Sequence, residues 1–186
     1  MERYSRKPIR LINYDYCRNG AYFVTICTKN KICMFWEPQN KWKNQNIPDT
    51  PSVGAVTGRP HKKIRLSEYG RYVKESLNNI HTYYPAVFVD KYVIMPNHIH
   101  AILRIDADLK FDTDDNGGRP MTAPTISWII NHMKGYVTKQ IGFSPWQRSF
   151  YDRIIRNSNE YAAFWRYIEN NPVNWENDEL FSNDAL

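Results

Sequence analysis

The sequence predicts an α+β domain in which helices pack on an antiparallel sheet. Short segments rich in β-branched and aromatic residues alternate with longer segments of helical periodicity, in the order β, β, α, β, β, α, β, α. The chain has 186 residues, which is enough for one domain with a well-developed core. We therefore expect one domain over residues 1–186, with polar loop insertions at about 37–62 and 106–123.

The first half of the chain predicts two strands and one helix. Residues 21–28 (AYFVTICT) are β-branched and aromatic, which is typical of a central strand. A polar turn follows, and residues 32–36 are expected to return as a second strand. The first helix is expected to begin after Ser67, whose hydroxyl can cap it, and to run to about Asn79.

The second half predicts three strands and two helices. Residues 88–95 and 98–105 are expected to form two strands that meet at a Pro-Asn turn. A helix is predicted over 125–141, a last strand over 150–155, and a last long helix over 158–170.

The motif His98-Ile99-His100 is the first candidate for chemistry. Side chains alternate between the two faces of a strand, so both imidazoles point the same way while Ile99 points into the core. Two imidazoles about 7 Å apart on one strand can bind a single divalent cation. A lone His-x-His motif usually binds no metal, but Pro96 and Asn97 place this pair near a strand end, where functional sites often lie.

The last long helix has recognisable ends and a core stripe. Asn157 and Glu160 resemble a capping box at its start, and Pro172 ends it. Four apolar or aromatic residues recur with i, i+3, i+4, i+7 spacing and predict the buried stripe: Tyr161, Phe164, Trp165 and Ile168.

Tyr167 and Asn171 stack on one side of this helix, beside the buried stripe. A tyrosine next to a metal site is a candidate nucleophile, and an asparagine amide oxygen is a candidate third ligand. An ordinary packing role for Tyr167 is the alternative. The chain has 13 tyrosines, and spacing alone does not decide between Tyr167 and others such as Tyr92, Tyr136 and Tyr151.

Composition favours an anionic partner. Lys and Arg number 25 against 19 Asp and Glu, a net charge of +6, which suits nucleic acid or a membrane surface. No run of 18 apolar residues predicts a membrane span, and no signal peptide is evident. Three cysteines without CxxC spacing predict reduced thiols in a cytoplasmic protein: Cys17, Cys27 and Cys33.

Four segments, taken in order, resemble the REP-associated tyrosine transposases, which are single-tyrosine enzymes of the HUH superfamily. The resemblance spans about residues 9–180, and the two polar loops carry no family motif. The matching segments are 20–28 (GAYFVTICT), 94–103 (IMPNHIHAIL), 145–156 (PWQRSFYDRIIR) and 167–172 (YIENNP).

The resemblance implies a ferredoxin-like or RRM-like sheet with the fold of HUH endonucleases. It implies that His98, His100 and Asn171 bind Mg²⁺ or Mn²⁺, and that Tyr167 is the catalytic residue that forms a 5′-phosphotyrosine. The implied substrate is single-stranded or hairpin DNA, typically a repetitive extragenic palindrome. The protein is then expected in the cytoplasm, associated with the nucleoid, as a monomer or a homodimer.

Basic and aromatic residues near these motifs are candidates for DNA binding, because cations neutralise phosphates and aromatic rings stack on unpaired bases. A solvated basic face with core aromatics is the plainer interpretation. The candidates are Arg148, Arg153, Arg156, Arg166, Lys134 and Trp146.

Two other functions remain open. A non-catalytic nucleic-acid-binding protein on the same fold would bind DNA without needing Tyr167. A HUH enzyme that initiates rolling-circle replication or conjugative transfer is disfavoured, because the sequence contains no helicase segment.

Overall fold

A computed structural model describes residues 19–38, 64–106, 108 and 125–183. The two predicted polar insertions lie almost wholly outside these residues, as does Cys17. The elements in chain order are β1 (Gly20–Cys27), a 3₁₀ turn (Lys29–Lys31), α1 (Glu68–Asn78), α2 (Ile80–Tyr83), β2 (Val87–Ile94), β3 (His98–Ile105), α3 (Ile126–Ile141), β4 (Tyr151–Ile155), α4 (Ser158–Asn170) and a 3₁₀ turn (Trp175–Asn177).

The four strands form one antiparallel sheet in the order β2-β3-β1-β4. Apart from the first 3₁₀ turn and the single-turn α2, the elements from β1 to β4 follow the β-α-β-β-α-β order of ferredoxin-like folds. The predicted α+β class is therefore confirmed. Because β1 is central, its last residues lie beside the start of β3, with Cys27 opposite His98 and Thr25 opposite His100.

One face of the sheet, here called the core face, packs against α1 and α3. Both helices begin as the sequence predicts, since the Ser67 hydroxyl accepts a hydrogen bond from the Gly70 N–H and the Thr125 hydroxyl accepts one from the Trp128 N–H. The strand side chains buried on this face are Tyr22, Val24, Ile26, Val87, Ile94, Ile99, Ala101, Leu103 and Ile105.

The opposite face, here called the α4 face, is covered by α4. Its smaller apolar cluster is built on Phe23, Ile102, Ile155 and Ile168. The predicted stripe of α4 packs there, with Ile168 buried and the three aromatic residues partly buried. The Asn157 side chain accepts a hydrogen bond from the Glu160 N–H at 2.9 Å, as the capping prediction requires.

The prediction of a strand over residues 32–36 is wrong. The backbone N–H groups of Met34 and Phe35 both donate to the Pro96 carbonyl, so they are not available for a ladder. Both side chains are buried and anchor this loop in the core. A Cβ at Gly70 would collide with the Phe35 carbonyl, so α1 and the loop pack at backbone distance.

Two composition-based predictions are also addressed by the structure. Cys27 is a free thiol in the described part of the chain, and the Cys33 thiol donates to the Ser182 carbonyl at 3.2 Å. Within the described part of the chain, no helix has the length and apolar character needed to span a membrane.

Candidate active site

Two buried histidines occupy the start of β3 on the α4 face. His98 is 0 % exposed and His100 is 3 % exposed, and their ring centroids are 4.5 Å apart. Burial lowers the pKa of each imidazole to about 3, with the positive charge of Lys31 adding to the effect at His98. Both rings are therefore neutral at neutral pH, and the neutral imidazole is the form that binds a metal ion.

The tautomer of His98 is set by Asn97. The Asn97 side-chain amide donates to the carbonyls of Lys31 and Leu180, at 3.0 and 2.8 Å. Its oxygen therefore faces His98 Nδ1, 2.8 Å away, and an amide oxygen can only accept a hydrogen bond. Nδ1 must carry the proton, which leaves the lone pair of the buried Nε2 available to a metal ion. This is the arrangement in which a neighbouring acceptor orients a metal-binding imidazole.

His100 is the histidine of the pair that contacts Tyr167, the candidate nucleophile. Its Nδ1 lies 2.9 Å from the Thr25 hydroxyl, and its Nε2 lies 3.4 Å from the hydroxyl of Tyr167. Phe23 stacks on the His100 ring, with centroids 5.2 Å apart, and also contacts Tyr167 edge-on. The structure thus brings Tyr167 beside the histidine pair within one chain.

Tyr167 lies in the last turn of α4 and is 46 % exposed. Partial burial raises the pKa of its phenol, and the negative charge of Asp178 raises it further, while a hydrogen bond from Asn171 opposes the shift. The hydroxyl is therefore protonated at neutral pH, and a nearby cation is needed to favour the phenolate.

Asn171 caps the C-terminus of α4 and is 3 % exposed. Its amide nitrogen lies 3.3 Å from a carboxylate oxygen of Asp178, which leaves its own oxygen buried without a donor. His98 Nε2 is also buried without a partner. Two buried acceptors without donors are costly unless a cation satisfies them, so these residues fit a metal ion.

Asp178 completes the cluster and was missed by the sequence analysis. One ligand atom each of His98, His100 and Asp178 lie within 4.8 Å of one another. The segment that carries Asp178 is held over the site by the bond from Asn97 to the Leu180 carbonyl. Nothing in the sequence relates Asp178 to residues some 80 positions earlier, because only the return of the chain after α4 brings them together.

Three interactions on the α4 face hold α4 against the edge strand β2, and a fourth, from Arg104 of β3, supports Asp90. The Tyr161 hydroxyl donates to Asp90 at 2.9 Å, and Arg104 donates to the same carboxylate oxygen at 3.2 Å. Lys91 lies 3.6 Å from Glu169 and 4.7 Å from the centroid of the Trp165 ring. Asp90 sits at a β-bulge, where the register shifts between Val89 and Lys91. This contact fixes the helix that carries Tyr167.

The predicted DNA-binding residues fall into two groups. The exposed group is Arg148, Arg153, Arg156 and Arg166. Arg153 is paired with Glu160 at 3.1 Å, so part of its charge is already neutralised within the chain. Lys134 and Trp146 are buried, with 8 % and 7 % of their surfaces exposed. The Lys134 ammonium donates to the Gln147 and Ser149 carbonyls, so it supports the loop that carries Arg148.

Comparison with known proteins adds a family and a fold. No protein-family model matches the chain. An uncharacterized protein of Haemophilus influenzae is 34 % identical over 188 residues, covering 95 % of this chain and 93 % of the relative. The chain belongs to the same family as this Haemophilus protein. Among solved structures, that of a REP-associated tyrosine transposase bound to a REP hairpin is similar with a TM-score of 0.51 and 18 % identity. The similarity covers 93 % of this chain and 73 % of that one, and it shows a shared fold.

Proposed function

We propose that this protein is a metal-dependent endonuclease and strand transferase for single-stranded DNA, of the transposase type. One observation carries the proposal: the Tyr167 hydroxyl lies 3.4 Å from Nε2 of the buried His100, in a cleft with two buried acceptors that lack donors. Metal-assisted phosphodiester cleavage by a side chain requires a nucleophile beside a cation-binding pocket.

The residues that would hold Mg²⁺ or Mn²⁺ are His98 and His100 through Nε2, with an oxygen of Asn171 or Asp178. Imidazole together with hard oxygen ligands suits Mn²⁺, and Mg²⁺ accepts the oxygens. When bound, the cation supplies positive charge that polarises the scissile phosphate and stabilises the phenolate.

Tyr167 then performs the covalent step. Its oxygen forms a bond to phosphorus while the bond from phosphorus to the 3′-oxygen breaks. The phenolic proton passes to water, which the 46 % exposed side chain can reach, and the departing 3′-oxygen gains a proton to become a hydroxyl. The product is a 5′-phosphotyrosine, and a later 3′-hydroxyl can attack it to rejoin a strand without ATP, because the phosphodiester energy is retained.

The substrate side of the proposal rests on charge and on the structural relative. The net charge of +6 and the exposed arginines favour a polyanion. Since the solved transposase that shares the fold was bound to a REP hairpin, hairpin DNA of this type is the proposed substrate. Action on DNA agrees with the expected cytoplasmic location.

The test is covalent capture. A labelled hairpin oligonucleotide with single-stranded flanks is incubated with the protein and Mn²⁺, and adducts that survive SDS are counted and mapped by mass spectrometry. We expect an adduct on Tyr167 that disappears in Tyr167→Phe and on chelation. Tyr151→Phe is the matched control, because Tyr151 is 52 % exposed and lies on the neighbouring strand β4.

Two outcomes oppose the proposal. An adduct that persists in Tyr167→Phe assigns the chemistry to another residue. Hairpin binding that is unchanged by Tyr167→Phe and by chelation, with no adduct in the wild type, supports the non-catalytic DNA-binding function instead.

A further inference from the structure

A groove of about 500 Å³ opens beside the histidine cleft. Residues 28–31, which follow β1, form one side, while Ser144 and residues 146–148 form the other. Cys27, directly before the groove, pairs with His98 in the sheet, and the Asn97 side chain donates to the Lys31 carbonyl. The Lys31 end of the groove is therefore connected to the candidate metal site through Asn97, which contacts both Lys31 and His98.

The two sides of the groove are tied together by main-chain bonds. The Lys29 N–H donates to the Pro145 carbonyl at 2.7 Å, and the Gln147 N–H donates to the Cys27 carbonyl at 2.9 Å. Behind the second side, the Lys134 ammonium donates to two carbonyls of the same loop. The groove is thus preformed, and a ligand entering it does not need to order the loop first.

The surface of the groove is positively charged. Lys29, Lys31 and Arg148 are exposed there, and none of the described residues that line it is acidic. Asn30 and Lys31 adopt φ of 57° and 56°, in the left-handed region that side chains rarely occupy. Strained backbone of this kind persists where the surroundings fix it, and it is common at ligand-binding sites.

The ring of Trp146 forms the floor and is not a stacking platform. Its indole N–H donates to the Lys134 carbonyl at 3.0 Å, and the ring packs against Phe35. The groove therefore offers cations and polar groups to a ligand, which suits a phosphate backbone more than bases. Its volume is that of a small-molecule site, which suits a few nucleotides of a single strand more than a duplex.

We propose that this groove binds the phosphate backbone of the single-stranded DNA that adjoins the scissile phosphate. The inference rests on the proposed function for the identity of the DNA, and it adds a separate binding site to it. Lys29 and Arg148 are its main phosphate contacts, and Lys31 is the lining residue whose carbonyl accepts a hydrogen bond from Asn97, next to His98.

The test measures binding alone, in the Tyr167→Phe background without added metal, so that no cleavage step enters. The probe is a fluorescein-labelled twelve-nucleotide oligothymidylate, and the readout is fluorescence anisotropy over a salt series. The test variant is Lys29→Gln/Arg148→Gln. The control is Arg71→Gln/Lys74→Gln on α1, which removes the same two charges from a helix that does not line the groove.

We expect the test variant to weaken oligothymidylate binding about tenfold and to reduce the slope of log K against log salt by about 1.4, as two lost phosphate contacts require. The control variant is expected to change the affinity less than about twofold. A blunt hairpin without flanks should bind both variants equally well, because it has no single strand to enter the groove.

Equal losses of oligothymidylate affinity in the test and control variants would overturn the proposal that the groove binds DNA, since such losses would reflect net charge alone. A test variant that loses as much affinity for the blunt hairpin as for oligothymidylate would overturn it too. Both results are distinct from failure of the proposed function, which is decided by the covalent adduct in the presence of metal.

Discussion

On the core face every buried side chain of β3 is apolar, whereas on the α4 face the same strand carries two buried histidines. The core face packs against two helices, and its apolar cluster includes 21 of the described residues; the cluster under α4 includes four. Neighbouring residues of one strand thus belong to environments of different kinds. Ile99 lies in the large cluster, and His98 and His100 lie in the cleft.

The difference between the faces separates stability from chemistry. Apolar burial on the core face supplies the free energy of folding, which leaves the α4 face able to keep buried polar atoms without partners. If this division is correct, substitutions on the two faces have opposite consequences for activity and stability.

The largest expected effect is on the α4 face. His98→Ala should reduce covalent adduct formation in Mn²⁺ by about 10³-fold, because several kcal/mol of charge stabilisation depend on the bound cation. The free energy of unfolding, measured by urea denaturation without metal, should change by less than about 1.5 kcal/mol. A folded variant that retains wild-type adduct formation would show that His98 is not part of the site.

The complementary experiment changes Ile99, which lies between the two histidines but faces the core. Ile99→Ala should lower the free energy of unfolding by about 3 kcal/mol, since Ile99 is 0 % exposed and truncation leaves a cavity. Adduct formation per folded molecule should stay within about threefold of the wild type. If Ile99→Ala abolishes activity in protein that circular dichroism shows to be folded, the two faces are not separable in the way described.

A smaller effect is expected where α4 joins β2. Tyr161→Phe removes the hydrogen bond to Asp90 and should cost about 1 kcal/mol of stability. Adduct formation should fall several-fold, because α4 positions Tyr167, and KM should change less than kcat. Tyr72→Phe is the control, since its hydroxyl bonds to Glu68 within α1. Equal adduct formation in Tyr161→Phe and Tyr72→Phe would show that Tyr161 does not position Tyr167.

The smallest effect concerns Lys134, whose pKa is lowered to about 8 by burial. Between pH 8 and about 10.5 the unfolded chain binds more protons than the folded protein, so this group makes stability rise with pH in that range. The wild type should gain of the order of 1 kcal/mol relative to Lys134→Met between pH 8 and pH 10 in urea denaturation. A stability difference between the wild type and Lys134→Met that stays constant or shrinks as the pH rises would contradict the lowered pKa of Lys134.

Local sequence patterns correctly predicted the features that depend on strand alternation and helix capping. Strand alternation put His98 and His100 on one face, and the helical stripe with its Asn157 cap located α4 within a residue. The strand over 32–36 failed because tertiary contacts of Phe35 with Pro96 outweighed its β-propensity. Trp146 was a candidate for DNA binding, but its indole N–H donates to the Lys134 carbonyl and its ring is buried.

The remaining part of the candidate site depends on long-range packing. Asp178 reaches the histidines only because the chain folds back after α4, and no spacing rule encodes that return. The role of Asn97 required the positions of two distant carbonyls, although its place before His98 was visible in the motif.

The central claim is that the α4 face holds one divalent cation between the histidines and next to Tyr167. Crystals grown with Mn²⁺ test it through anomalous scattering. We expect one strong peak within about 2.3 Å of Nε2 of both His98 and His100, with an oxygen of Asn171 or Asp178 as a further ligand. Peaks confined to surface carboxylates, with the two Nε2 atoms unliganded at saturating Mn²⁺, would contradict the claim.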